Sequence, residues 1–236
     1  MILTIEALNS IEYVTRLMYP NEMCGIITNN GEFKQITNVS ENPTKSFELH
    51  PMEFYKEKDN FVAIVHSHTS TRYLHICTPS KLDWTTQQIW NIPFFISGFD
   101  GFVYTSPIKF PLERQDDYIG RPYIYGIFDC GTLAKDFYWF NFSISIEIDP
   151  IMSLTPKNLW ANTISTLLMS NNFIEVSGAK QKGDLLLVNV FGDFNNHVII
   201  YLDEDWVLNQ NITSAYEPYS DWENKINKIY RHESLC

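Results

Sequence analysis

Apolar and polar residues alternate along this chain with two different periods. Ala7, Ile11, Val14 and Met18 recur at three- and four-residue spacing, which predicts a helix that Pro20 closes. CGIITNN and EFKQITNV flank Asn29-Asn30-Gly31, a hairpin pattern. PMEFYKEKD reads as a polar helix, and FVAIVHSH as a buried strand whose last side chains turn polar. Ser80–Trp90 reads as another helix, followed by the strands PFFISGF and GFVYTS. Further on, Asp129–Phe140 is helical in pattern, and Thr155-Pro156 opens a helix reaching Ser170, with Thr at the cap and Pro at the first position. GDLLLVNVF, HVIIYL and DWVLNQN are strand-like runs joined by short polar turns, which predicts an antiparallel meander.

The first half is therefore α/β with a mixed sheet, and the second α+β with an antiparallel sheet. A polar, turn-rich stretch from Pro107 to Pro122 separates them. We place the domains at 1–109 and 120–236, with 110–119 as linker. A length of 236 residues allows one large domain or two small ones, and the motifs below favour two. Residues 1–110 carry 8 basic and 11 acidic side chains, net −3, and the remainder 9 and 17, net −8. The total of −11 gives no electrostatic route to nucleic acid or an anionic membrane, so neither is expected as a partner. No apolar run is long enough for a transmembrane helix, and MILTIEALNSIE lacks the basic start of a secretory signal. The 4 cysteines are widely spaced and suit synthesis in a reducing cytoplasm. Aromatic residues reach 15%, which points to a protein that docks flat surface in an assembly.

Two constellations carry chemistry. His66-Ser67-His68 ends a strand, where residues two apart share a face and their backbones lie about 6–7 Å apart. The two imidazoles can converge on one Zn²⁺. A catalytic zinc takes a third protein ligand, and Asp83 at a helix start is the nearest carboxylate. Glu22 is a candidate for the proton-transferring base. Each piece also has a plain reading: a surface His pair, a Ser80-x-x-Asp83 helix cap, an exposed acid, and in Cys24 a small buried hydrophobe. In the second half Asp129-Cys130-Gly131 begins a helix, whose positive end favours thiolate. His197 opens one strand and Asn209 lies in the next. In a hairpin they can share a face, giving Cys130 as nucleophile, His197 as base and Asn209 as orienter. Plain packing of the Cys and a surface His is the alternative.

The ordered set Glu22…His66-x-His68…Ser80-x-x-Asp83, with PNEMCGI, Asn42, FELHP, AIVHSH and TPSKLD, resembles the JAB/MPN (JAMM) metallopeptidase family over residues 1–105. That resemblance implies Zn²⁺ on His66, His68 and Asp83, with Glu22 as general acid/base and Ser80 stabilising the oxyanion. It also implies cleavage of peptide or isopeptide bonds. Thr69 stands where the family has Pro, and the eleven residues 69–79 between the second His and Ser80 make an enlarged loop. The loop holds His75 and Cys77, which can ligate metal or pack; packing is the expectation. GRPYIYGIFDCGTLAKDFY, KGDLLLVNV and NHVIIYLDEDWVLNQ resemble the NlpC/P60 cysteine peptidase family over 120–211. This implies a papain-like core with Cys130, His197 and Asn209 as its triad, and Tyr123 against substrate. Family members cleave stem peptides of bacterial peptidoglycan.

The two families in this order resemble the tail assembly protein K family of lambda-like long-tailed phages. The pairing implies action at the tail tip, in the host cytoplasm during assembly or in the virion, with other tail-tip proteins as partners. Two function readings stand: a bifunctional peptidase, or a structural tail-tip component that keeps both folds as docking modules. A deubiquitinase-like enzyme built on the first domain alone leaves the second unexplained.

Overall fold

The computed structural model describes residues 3–70, 75–148, 160–190 and 197–236. The chain divides into two compact units, Met1–Leu112 and Glu113–Cys236. Among the described residues no helix is long and apolar enough to cross a membrane.

The first unit runs α1 (Ile5–Met18), β1 (Cys24–Thr28), β2 (Phe33–Ile36), α2 (Pro51–Lys56), β3 (Phe61–His68), α3 (Lys81–Trp90), β4 (Phe94–Phe99) and β5 (Tyr104–Phe110). The sheet order is β2-β1-β3-β4-β5; β3 and β4 are parallel and the other pairs antiparallel. Thr4 caps α1 by accepting from the Ala7 N–H at 3.1 Å. The apolar stripe of α1 buries Ile11 against Met23, Ile27, Ala63, Val65 and Phe95. Strand alternation then sends Ile64 and His66 of β3, and Phe94 of β4, to the opposite face. There Phe94 meets Phe110, Phe110 meets Trp84 of α3, and His66 lies against Phe94. Helices thus cover both faces of the mixed sheet, and the two histidines are delivered on the α3 side.

Two expectations change here. The strand read as GFVYTS begins later, at Tyr104, and continues through Pro107–Phe110, because Phe110 is fully buried beside Phe94. Nor does the stretch after it hang free. Arg121 is buried and donates to the carbonyls of Gln115 and Asp117 and to Asp136 Oδ2, at 2.7–2.8 Å. Ser214 exchanges further bonds with Arg121. A polar sequence reads as linker, yet one buried guanidinium with five donors wraps it onto the second unit.

The second unit contains α4 (Cys130–Phe142), α5 (Trp160–Ser170), β6 (Phe173–Val176), β7 (Leu185–Val188), β8 (His197–Tyr201), β9 (Trp206–Gln210), β10 (Ser214–Pro218) and β11 (Ile226–His232). Its sheet, ordered β10-β9-β8-β7-β11-β6, is antiparallel throughout. The molecule is therefore α+β, with one mixed and one antiparallel sheet. The expected meander is present as β7-β8-β9, and β10 extends it. β6, β10 and β11 were not read from sequence: SAYEP and INKIYRH carry too many polar side chains for a strand pattern. The expected Thr155-Pro156 helix start lies outside the described residues. The apolar face of α4 (Leu133, Ala134, Phe137, Tyr138) packs on Leu185, Leu187, Val198, Ile200 and Leu208. The other sheet face buries Leu186, Val188, Ile199, Val207 and Trp222. Side-chain alternation places His197 and Asn209 on this second face.

Candidate functional site

In the first unit, β3 carries His66 and His68 to one place and the first turn of α3 brings Asp83 to meet them. His66 Nε2 lies 3.3 Å from His68 Nε2 and 3.2 Å from Asp83 Oδ1, and His68 Nε2 lies 3.4 Å from Asp83 Oδ2. Among the described residues these three form the group able to hold a metal ion. A tetrahedral ion with bonds of about 2.0–2.1 Å holds its donors about 3.3 Å apart, so the spacing fits. The tautomer fits too. His68 Nδ1 lies 2.8 Å from the Ile76 carbonyl, which can only accept, so Nδ1 carries the proton and Nε2 keeps its lone pair. His66 is fully buried, its ring stacked on Phe47 at 4.3 Å. Its Nδ1 has no partner.

Burial pushes His66 down, with Asp83 partly countering. Burial would also lower His68, but the bond and charge of Asp83, with Glu22 behind, hold it up. Burial of Asp83 favours its neutral form, yet the two histidines win and hold its carboxyl well below the usual carboxylate range.

Ser80 and Asp83 also form the capping box: Ser80 N–H donates to Asp83 Oδ2 at 2.6 Å, and Asp83 N–H to Ser80 Oγ at 3.2 Å. The cap and the metal-ligand readings are therefore not rivals. The cap fixes the carboxylate that faces the histidines. Glu22 is buried, and Ser67 helps to place it, because Ser67 Oγ accepts the neighbouring Met23 N–H at 2.8 Å. Glu22, His68, Ser80 and Asp83 line one cleft of about 410 Å³. The apolar side chains of Leu49, Phe54, Ile64, Leu82 and Trp90 line it as well. His75 borders this cleft. Cys77 is buried, as is Cys24, and burial pushes both thiols up to about 12, so both behave as small hydrophobes.

Sequence reasoning missed Phe47, Ile76 and Gly98. Gly98 pairs with His68 across the parallel strands, and a Cβ there would sit 2.2 Å from Ile76 Cγ2. Gly98→Ala must therefore displace Ile76, whose carbonyl orients His68. The expected result is a 10- to 100-fold weaker metal affinity, measured by competition with a chromophoric chelator. Unchanged affinity would show that the carbonyl does not matter.

In the second unit Asp129 caps α4. Its Oδ1 accepts the Thr132 N–H at 2.9 Å and its Oδ2 the Gly126 N–H at 2.7 Å, so the helix starts at Cys130. The Val198 backbone N–H lies near enough to the Cys130 sulfur to favour its charged form. Val198 adjoins His197, whose Nε2 lies 2.7 Å from Asn209 Oδ1. Tyr123 is placed by its backbone bond to Ile212 at 2.8 Å. Burial raises its hydroxyl pKa, and the nearby Cys130 and Asp129 add to that shift.

Helix position and burial compete at the thiol. The helix N-terminus was expected to favour thiolate, and the N–H groups of Cys130, Gly131 and Val198 do pull that way. Burial is the larger effect, and the capping carboxylate of Asp129 adds to it, so the thiol is pushed up to about 12. His197 is pushed down by burial, against the opposing pull of Asn209, Asp129 and Glu217. At rest the thiol and the imidazole are each neutral.

Residues 120–231 match the NlpC/P60 family, which is a family of cysteine peptidases. The antiparallel unit is thus an NlpC/P60 domain. Over 231 residues the chain is 27% identical to Tail tip assembly protein K of Escherichia phage N15, covering 92% of this chain and 90% of the relative. Nearly the whole chain thus resembles the phage tail assembly protein K family. A protein from Salinibacter ruber, solved in solution, is 21% identical with a TM-score of 0.33, covering 48% of this chain and 82% of that one.

Proposed function

We propose that this protein acts in the assembly of a phage tail tip and hydrolyses peptidoglycan stem peptides through Cys130, His197 and Asn209. The observation that carries the reading is the 2.7 Å bond from His197 Nε2 to Asn209 Oδ1, together with a cysteine at a capped helix start that lies near the N–H of Val198, the residue after His197. That bond occupies Nε2 and leaves Nδ1 to take the thiol proton as sulfur attacks the scissile carbonyl. The same nitrogen then protonates the leaving amine, and water hydrolyses the thioester. The helix N-terminal amides favour charge developing on oxygen. Tyr123 borders the sulfur and would contact the substrate. Other tail-tip proteins are its partners, with residence in the host cytoplasm during assembly and at the virion tail.

The first unit is read as a zinc peptidase, with His66, His68 and Asp83 holding the ion. Zinc would supply Lewis acidity toward a peptide carbonyl. Glu22 would hold a proton for the leaving amine, and Ser80 would steady the carbonyl oxygen. The apolar side chains that also line this cleft suit a peptide with a large apolar side chain, unlike the small and charged residues of cell-wall stems. The two sites then act on different substrates. The test is to assay the full chain, Cys130→Ala and His66→Ala on purified muropeptides and on a panel of apolar and polar peptides, with metal content measured in parallel. Loss of muropeptide cleavage in Cys130→Ala alone supports the division. Muropeptide cleavage that persists in Cys130→Ala, or is abolished in His66→Ala, overturns it. An inert wild type with zinc bound favours the docking reading instead.

A further inference from the structure

Asn209 has a second partner that the triad does not include. Its Nδ2 donates to Glu217 Oε2 at 3.1 Å, and the same oxygen accepts from Trp222 Nε1 at 2.6 Å. Glu217 sits on β10 and pairs in register with Val207, two residues along β9 from Asn209. Trp222 is buried, its ring 6.4 Å from that of His197.

We infer that Glu217 is a positioning residue that sets the tautomer of His197 through the orientation of the Asn209 amide. An amide has one accepting and one donating end, and either could face a histidine. An ionised carboxylate accepts only, so the amide NH₂ must face Glu217. The amide oxygen is then forced toward His197, and an oxygen there requires a proton on Nε2. Nδ1 is left with its lone pair, the form a general base needs. Trp222 donates to the same carboxylate oxygen and holds it in place. Without Glu217 the amide is free to turn, presenting NH₂ to Nε2 and leaving the proton on Nδ1, where it blocks the base. The inference rests on the Cys130–His197–Asn209 reading above, but the tautomer can be read without any turnover.

The experiment uses the full chain labelled with ¹⁵N-histidine, with His197 assigned by His197→Asn. Long-range ¹H–¹⁵N correlation reports the tautomer, and hydrolysis is followed against pH. Wild type is expected to carry the Nε2 proton. Glu217→Ala should shift His197 to the Nδ1 form or a mixture and lower kcat/KM about 10- to 100-fold at unchanged fold. Glu217→Gln keeps an accepting oxygen, so it should retain the Nε2 tautomer and most activity. The charged groups acting on His197 are Asp129 and Glu217. Removing one negative charge should therefore move the acid limb of its pH profile to lower pH. If Glu217→Ala fails to fold, Glu217→Gln and Trp222→Phe carry the test through the tautomer and the limb. An unaltered tautomer in folded Glu217→Ala, or a Gln variant with an unmoved limb, overturns the inference. A tautomer that responds to Glu217 in a protein inert toward stem peptides would sink the peptidase reading and leave this one standing.

Discussion

Cys130→Ala is expected to lower kcat/KM on stem peptides by about 10⁴- to 10⁶-fold, the range seen when a covalent nucleophile is removed. His197→Ala should cost a similar amount, and the double variant little more, because a nucleophile and its base act as a unit. Asn209→Ala should cost less, since it orients rather than reacts. The shape of the pH profile is also fixed by the structure. The reactive form needs neutral His197, whose pKa is pushed below its ordinary 6.5 by burial. Acidification removes the base only below that value, so the acid limb of kcat/KM should lie below pH 6.5. The thiol, pushed up to about 12, contributes no limb in the neutral range. A preformed thiolate–imidazolium pair would behave differently, alkylating quickly at acidic pH and losing rate as the imidazolium deprotonates. The checks are mass-spectrometric release of stem-peptide fragments and iodoacetamide labelling from pH 4 to 10. Near-wild-type turnover in Cys130→Ala, or rapid alkylation at pH 5, would contradict this account.

The strands that carry chemistry were legible because they are buried on both faces and so read as apolar runs. FVAIVHSH, GDLLLVNVF and HVIIYL are examples, and each contains a strand of the structure. The pairing of His197 with Asn209 was legible for a related reason: two runs joined by a short turn form a hairpin, and parity along each strand then fixes the face. What stayed hidden depends on contacts between distant segments. Glu217 lies on a strand of mixed polarity, and nothing local distinguishes it from Glu223 or Glu233. Ile76 acts through a backbone carbonyl, which side-chain identity does not reveal. The thiol pKa is only partly legible, because helix position is visible in sequence, whereas burial and the charge of a capping Asp129 are tertiary facts. The aromatic surplus was read as docking surface. Much of it fills the two cores, with Phe94, Phe110, Tyr138 and Phe173 fully buried, although Phe102 is 90% exposed.

His66→Ala and Asp83→Asn are each expected to take bound zinc from one ion per chain to none and to lower the melting temperature of the first unit. Two donors left from three cannot hold a tetrahedral ion against water. An ion that binds only the folded state stabilises it by about 4 kcal/mol when its free concentration is a thousand times its Kd. Chelator should lower the melting of wild type by the same amount and leave both variants unmoved. The pairing of Asp83 with Ser80 supplies the control that separates metal from helix cap. Asn at 83 still offers an oxygen to the Ser80 N–H, so it removes the ligand charge and keeps the cap. Ser80→Ala does the reverse: it gives up a cap of about 0.5–2 kcal/mol and leaves all three donors in place. Zinc lost in the first variant and kept in the second would assign the carboxylate to the ion. Wild type that binds no zinc and melts unchanged in chelator would instead mark His66, His68 and Asp83 as a buried charge cluster, in which Asp83 holds the histidines by ion pairing alone.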